Sequence, residues 1–340
     1  MKKLFFFPLA IFVAIGFANA QKVALHSASG VQFFNSVTAL QSAYTVAQAG
    51  DTIYLPGGSF TPPANFEKQL TIFGAGHYVD SALATGKTFI NGNVQLRENA
   101  DNFYIEGVEV TGNLVLYNNE SVNGVTVKRC KINGQFNVVG NLSHPSDNLS
   151  FTGNVIVGRI NLENAQNVLL SNNIIQNTFQ SSNGNLINNN IVLGYIWGYS
   201  MDYLFSGNNN ALNNNIFIWD GYNADVSGQG NVFNNNLYVE LTPNYGTSPI
   251  ASGNYVGILQ ANIFLNQTGT AFDYAHDYHL QNPSTYLGTD ATQVGIYGGT
   301  FPYKEGAVPS NPHFVSKIIA PATDENGMLN VQIKVSAQNN

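Results

Sequence analysis

Polar and apolar positions alternate along this chain in a long-period repeat, an asparagine followed each time by a short apolar strand. The segments are Phe151-Thr-Gly-Asn154-Val-Ile, Leu170-Ser-Asn-Asn173-Ile-Ile, Ile187-Asn-Asn-Asn190-Ile-Val, Leu212-Asn-Asn-Asn215-Ile-Phe, Phe233-Asn-Asn-Asn236-Leu-Tyr and Leu259-Gln-Ala-Asn262-Ile-Phe. Cys130 and Val108 continue the register toward the N-terminus. Successive asparagines are about 17 to 26 residues apart, the range in which a repeat means stacked solenoid coils. A stacked asparagine can hydrogen-bond its equivalents above and below through its side-chain amide. The pattern predicts an all-β fold, a single parallel β-helix with Asn154, Asn173, Asn190, Asn215, Asn236 and Asn262 as its structural ladder.

The register assigns further roles. Two residues after the ladder come Val110, Ile132, Ile156, Ile175, Val192, Phe217, Tyr238 and Phe264, an inward core column. Four residues after it, Gly112, Gly134, Gly158 and Gly194 recur at a turn, where positive φ is expected. The positions between should face outward. They are polar early on (Glu109, Thr111, Lys131, Asn133) but apolar later (Ile191, Leu193, Ile216, Ile218, Leu237, Val239, Ile263, Leu265). Strands apolar on both faces are buried on both faces, so something covers the later coils. The nearest candidate is the C-terminal tail, where Phe314 to Ile319 and Leu329 to Val335 read as strands around an Asn326-Gly327 turn. A second copy or another partner is the other candidate, which makes this outer face a place for homo-oligomer contact.

At the N-terminus, Lys2 and Lys3 precede an apolar run from Leu4 to Phe17 and an Ala18-Asn19-Ala20 cleavage pattern, the marks of an export signal over residues 1–20. Residues 35–48 read as an amphipathic helix placed to cap the solenoid, followed by the strand Thr52-Ile-Tyr-Leu55 and Pro56-Gly-Gly58. The run from Ala39 to Phe60, with Gln48-Ala-Gly-Asp-Thr-Ile-Tyr-Leu-Pro56 at its centre, resembles the opening of the pectate-lyase-like superfamily. Tyr278-His-Leu280 and Gly295-Ile-Tyr-Gly-Gly299 resemble the closing coil of its secreted bacterial members. The resemblance implies a right-handed, single-stranded β-helix with an N-terminal capping helix. The expected organisation is an export signal (1–20), a cap and first coil (21–88), the β-helix (89–310) and a tail packed on its exterior (311–340).

Composition narrows the partners. The net charge is −7, and no lysine or arginine lies between Arg159 and Lys304. Phosphate backbones are bound by cations, so nucleic acid is not expected. Past the leader, no apolar stretch reaches the ~20 residues of a membrane helix. The lone cysteine, Cys130, forms no internal disulfide and sits at a ladder position as a packing residue.

Signals for chemistry are sparser. The superfamily's lyases use a lysine or arginine as base, which draws attention to Lys128, Arg129 and Lys131, with Arg159 a coil away; a solvated strand edge is the bland reading. Hydrolases of this shape need converging carboxylates, and Asp202, Asp220, Asp225 and Glu240 are scattered. His276, Asp277 and His279 fall in the expected closing coil and read as capping. No cofactor and no metal are expected, and the catalytic residues are unknown. One constellation stands out: Tyr195, Trp197, Tyr199, Trp219, Asp220 and Tyr222, on consecutive coils, would form an aromatic patch beside a carboxylate. Aromatic faces flanked by polar groups suit neutral sugars. The expectation is therefore an exported protein that binds carbohydrate or a surface without catalysis; a polysaccharide lyase or glycoside hydrolase, or a structural matrix protein, are the alternatives.

Overall fold

The computed structural model describes residues 22–79, 84–117, 119–194, 205–219, 226–310 and 312–337. Its parallel strands stack into a β-solenoid of about eight turns. Each complete coil contributes one strand to each of three sheets. In one such coil Thr126–Lys128 lies in the first sheet, Lys131–Ile132 in the second and Phe136–Val138 in the third. The ladders pair in parallel from Thr52–Tyr54 to Ile250–Ser252. The solenoid therefore begins well before residue 89 and ends well before residue 310.

Two consecutive residues make the turn from first to second sheet, and they explain the asparagine repeat. The first takes positive φ: Gly107, Arg129, Gly153, Asn172, Asn189, Asn214, Asn235 and Gly253. Glycine and asparagine tolerate that region best. The second is the ladder residue, and it points inward. Asn215 Nδ2 donates to the Ile187 carbonyl (2.8 Å) and to Asn236 Oδ1 (3.0 Å). Its Oδ1 accepts from Asn190 N (2.9 Å) and Asn190 Nδ2 (3.0 Å). Asn154, Asn173, Asn190 and Asn236 repeat this arrangement. At one end Cys130 takes the rung: its backbone N–H donates to Asn154 Oδ1, and its thiol, in place of an amide, to the Ile105 carbonyl. At the other end the last rung is Asn254, not Asn262, which lies in a short 3-10 turn beyond the solenoid. A second ladder that the repeat did not reveal, Asn185, Asn210 and Asn231, serves the turn before the first sheet.

Inside, the expected column from Val110 through Tyr238 is buried, with Phe217 and Tyr238 stacked at 4.8 Å, the spacing of neighbouring strands. Phe264 is not part of it. The recurrent glycines answer a different constraint from the one expected. Gly112, Gly134 and Gly158 lack positive φ, and only Gly194 has it. A Cβ at Gly158 would instead run into the Gly134 carbonyl of the preceding coil.

The helix Ala39–Val46 buries Ala39, Leu40 and Ala43 against the N-terminal end of this core. Before it, an antiparallel hairpin (Lys22–Ser27 and Gly30–Asn35) extends the first sheet.

The second sheet is buried on both faces, as its sequence demands, but the cover is not the tail. Past Ile258 the chain folds back along the outside. Ile263, Phe264, Tyr278, Leu280, Val294 and Ile296 pack on Val155, Ile174, Ile191, Leu193, Ile216, Ile218 and Leu237. The positive-φ asparagines hold this cover with outward side chains. Asn172 Nδ2 donates to the Ile296 and Gly298 carbonyls, Asn235 Nδ2 to the Leu287 carbonyl, and Asn214 Oδ1 accepts from Thr289 N. Each Asn-Asn pair thus works on both sides of the wall, one amide inside and one outside. Leu265 is exposed. Residues 314–335 form an antiparallel hairpin whose side chains are largely exposed, so the tail does not lie on the outer face. That face, already filled by residues of the same chain, is not open for oligomer contact. Among the described residues no helix is long and apolar enough to cross a membrane.

Candidate functional site

Where the cover reaches the first coils, two cavities open side by side and share Tyr303. The larger, of about 520 Å³, is walled by Tyr78, Tyr274, Tyr278, Tyr297 and Tyr303, with His276, Asp277 and Glu305 at its polar edge. Tyr78 comes from an early loop, and the other aromatic rings from the cover. The rings brace one another. Tyr78 meets Tyr274 edge-on at 4.8 Å, and its hydroxyl lies 3.0 Å from that of Tyr303. Tyr297 stacks on His279 at 3.9 Å and donates to Glu305 Oε1 (3.3 Å).

Burial pushes the Tyr78 phenol up to about 12 and raises Tyr274, Tyr278, Tyr297 and Tyr303 as well. All five stay neutral at ordinary pH and can donate. Asp277 is held below its usual range, first by the His279 backbone N–H and then by the His279 ring. The cleft therefore offers neutral hydroxyl donors and anionic acceptors around flat apolar surfaces.

A buried polar group supports its floor. Glu109 pairs with Lys87 and Lys131 and accepts from Asn133 Nδ2 (3.0 Å). Burial acts to raise its carboxyl, yet Lys87, Asn133 and Lys131 together bring it below the usual value. Both lysines also lie over the Tyr274 ring. Beside them His77 is fully buried, and Tyr274 donates to its backbone carbonyl. Burial pushes the His77 ring down from 6.5 to about 3; Glu109 opposes the shift, while Lys131 and Lys87 add to it.

A stability consequence follows from His77. The unfolded chain takes up a proton at this histidine below about pH 6.5, and the folded one does not until about pH 3. Stability is therefore complete above the upper value and falls as pH drops between the two, by up to about 1.4 kcal/mol per unit. Urea unfolding at neutral pH and at about pH 5 should show this loss, and His77→Gln should flatten it. An unchanged slope in the variant would refute the assignment.

The smaller cavity, of about 180 Å³, is basic: Lys128, Arg129 and Lys304 meet Thr152, Phe301 and Tyr303. Arg129 is buried rather than on a solvated edge, and is paired with the wholly buried Glu106 (Nη1 to Oε1, 2.9 Å). Glu106 also accepts from Tyr104 Oη (2.6 Å) and from Ser310 N and Oγ (3.2 Å each). The Arg129 backbone has φ of 49°, the only arginine among the positive-φ residues described. Such strain persists only where surroundings hold it. Lys128 Nζ has no hydrogen bond or ion pair among the described residues, and burial, then Arg129, lowers its pKa.

Of the aromatic patch read from sequence, Tyr195, Trp197, Tyr199, Asp220 and Tyr222 lie outside the described residues, as do Asp202 and Asp225. Trp219 is half-buried and packs on the interior core. Glu240 accepts from Thr242 N in a local turn. His276, Asp277 and His279, read as capping residues, lie instead in or beside the tyrosine cleft. The signal available for it was the density of tyrosines between 274 and 303 in a stretch without cations. Among the described residues no group of three histidine, cysteine, aspartate or glutamate side chains could hold a metal ion. No known protein family, curated protein or solved structure matches this chain.

Proposed function

We propose that this is an exported, non-catalytic β-solenoid protein that binds a neutral carbohydrate, and that the tyrosine cleft is its binding site. The observation that carries the reading is the combination of five tyrosine rings with Asp277 and Glu305 around one open cleft. Sugar C–H faces stack on rings, and sugar hydroxyls take the phenols as donors and the carboxylates as acceptors. No lysine or arginine lines this cleft, which favours a neutral glycan over an anionic one.

A glycan array followed by calorimetry tests this. Tyr297→Ala should weaken binding by roughly 1–3 kcal/mol, by analogy with base stacking on aromatic side chains, while the circular dichroism spectrum stays the same. Binding that survives Tyr297→Ala unchanged would rule out the cleft.

A second reading, a polysaccharide lyase, is favoured by Lys128. A lysine with lowered pKa beside a guanidinium is equipped to act as a base toward an acidic sugar. Absorbance of an unsaturated product in the same assays, lost in Lys128→Met, would replace the first reading with this one.

A further inference from the structure

The basic cavity beside the tyrosine cleft holds cationic donors that the fold leaves unused. Lys128, Arg129 and Lys304 line it, and among the described residues no carboxylate does. Arg129 meets Glu106 through Nη1, which also donates to the Val308 carbonyl (3.2 Å). A guanidinium donates from all its nitrogens, yet Arg129 Nε and Nη2 have no partner among the described residues. The side chain is nevertheless only 7% exposed. Donors withdrawn from water are costly unless something accepts from them. Lys128 is half-buried with its ammonium equally unpaired. The backbone points the same way. At this turn the other positive-φ residues are glycine or asparagine, and only Arg129 holds a bulky cation there at the cost of strain.

We propose that this cavity binds an oxyanion, a carboxylate or sulfate group, held by the Nε and Nη2 edge of Arg129 and the Lys128 ammonium, with Phe301 and Tyr303 against the body that carries it. One edge of a guanidinium suits two oxygens of a single group, and an ammonium adds a point charge. Thr152 supplies a hydroxyl in the wall. The two aromatic rings favour an organic acid over a bare mineral ion. Burial, and then the neighbouring cations, lower the pKa of both Lys128 and Lys304, a crowding that a bound anion relieves. The site requires Lys128 as an ammonium, whereas the base of a lyase would be the free amine. It does not rest on the carbohydrate reading of the cleft. Tyr303 is shared by the two cavities, so the acid is either a free molecule or a charged substituent on the glycan next door. The sugar in the cleft itself is neutral in both cases.

Calorimetric titration of the full chain with sodium acetate and with sodium sulfate, at low ionic strength, should show saturable binding. Lys128→Gln should weaken it by about tenfold, the worth of one charge-assisted hydrogen bond. Lys317→Gln, the same loss of charge at an exposed site, should leave it unchanged. Thr152→Leu fills part of the cavity without altering charge and should weaken it too. Circular dichroism should stay that of the wild type in Lys128→Gln, because that ammonium leaves no partner behind. Two further arms identify the source. Anion binding that is indifferent to Tyr297→Ala and to added neutral oligosaccharide marks a free acid. Tighter binding of a sulfated oligosaccharide than of its unsulfated counterpart, lost in Lys128→Gln, marks an acid carried by the glycan. The absence of saturable binding by either anion up to tens of millimolar together with no preference for the sulfated sugar, or a Lys128→Gln variant that binds as the wild type does, would overturn the proposal.

Discussion

Replacing Asn215 with leucine should cost the fold roughly 3–5 kcal/mol, although leucine is nearly the same size and suits a buried site. The cost lies in the partners left behind. The Asn215 side chain holds four hydrogen bonds, and the Ile187 carbonyl, Asn236 Oδ1 and Asn190 N and Nδ2 would each lose one. A buried polar group without a partner costs about 1–3 kcal/mol, and no water reaches a rung that is completely buried. Asn254→Leu provides the contrast. That rung is only partly buried, so water can replace the lost amide and the cost should fall to about 1 kcal/mol. Urea unfolding of the two variants measures the difference. Equal losses would mean that the ladder does not act through its buried amides.

Arg129→Ala should be as damaging, at about 3–5 kcal/mol, the penalty for leaving half of a buried ion pair. Glu106 is wholly buried, and Arg129 is the cation it pairs with. Tyr104 and Ser310 would still donate, but three neutral donors do not neutralise a carboxylate. Two companion variants separate charge from backbone. Glu106→Leu combined with Arg129→Met removes both charges and should recover much of the loss, as apolar replacements of buried pairs often do. Arg129→Gly should be milder than Arg129→Ala by about 1 kcal/mol, because glycine accepts a φ of 49° without strain. If Arg129→Ala unfolds at the same urea concentration as the wild type, the pair contributes nothing to folding.

The solenoid was legible because its grammar is local and repeated. An amide at a fixed offset from a β-branched pair needs no knowledge of distant residues, and Asn173, Asn190, Asn215 and Asn236 stack as their spacing implied. The doubly apolar strands around Ile191 and Ile216 also announced a cover correctly. What supplied it was not legible. The cover from 258 to 303 has only two short strands, Phe264–Asn266 and Asp277–Leu280, so it carries no periodicity to read. The tail's second strand, by contrast, alternates cleanly, and the tail looked like the missing layer. Alternation states that a face is buried, not which partner buries it. Asn262 was misplaced for a related reason, since Asn-Ile-Phe after Leu259 mimics the repeat while the true last rung, Asn254, follows Ser-Gly in place of Asn-Asn. The tyrosine cleft depends on Tyr78 meeting residues some 200 positions later, a proximity that no local pattern encodes.

The fold-back cover also changes what kind of object the solenoid is. An open stack of coils can lose rungs from either end one at a time. Here the cover is fastened near the last coils through Asn235 and Asn214, and near the first through Tyr274 on His77 and Tyr303 on Tyr78. It acts as a tie rod along the axis. A force pulling the ends apart loads the cover before it loads the ladder, so the coils should yield together rather than peel. The same brace fixes the number of coils: inserting a coil of about 20 residues would push its anchor points one strand spacing, about 4.8 Å, out of line.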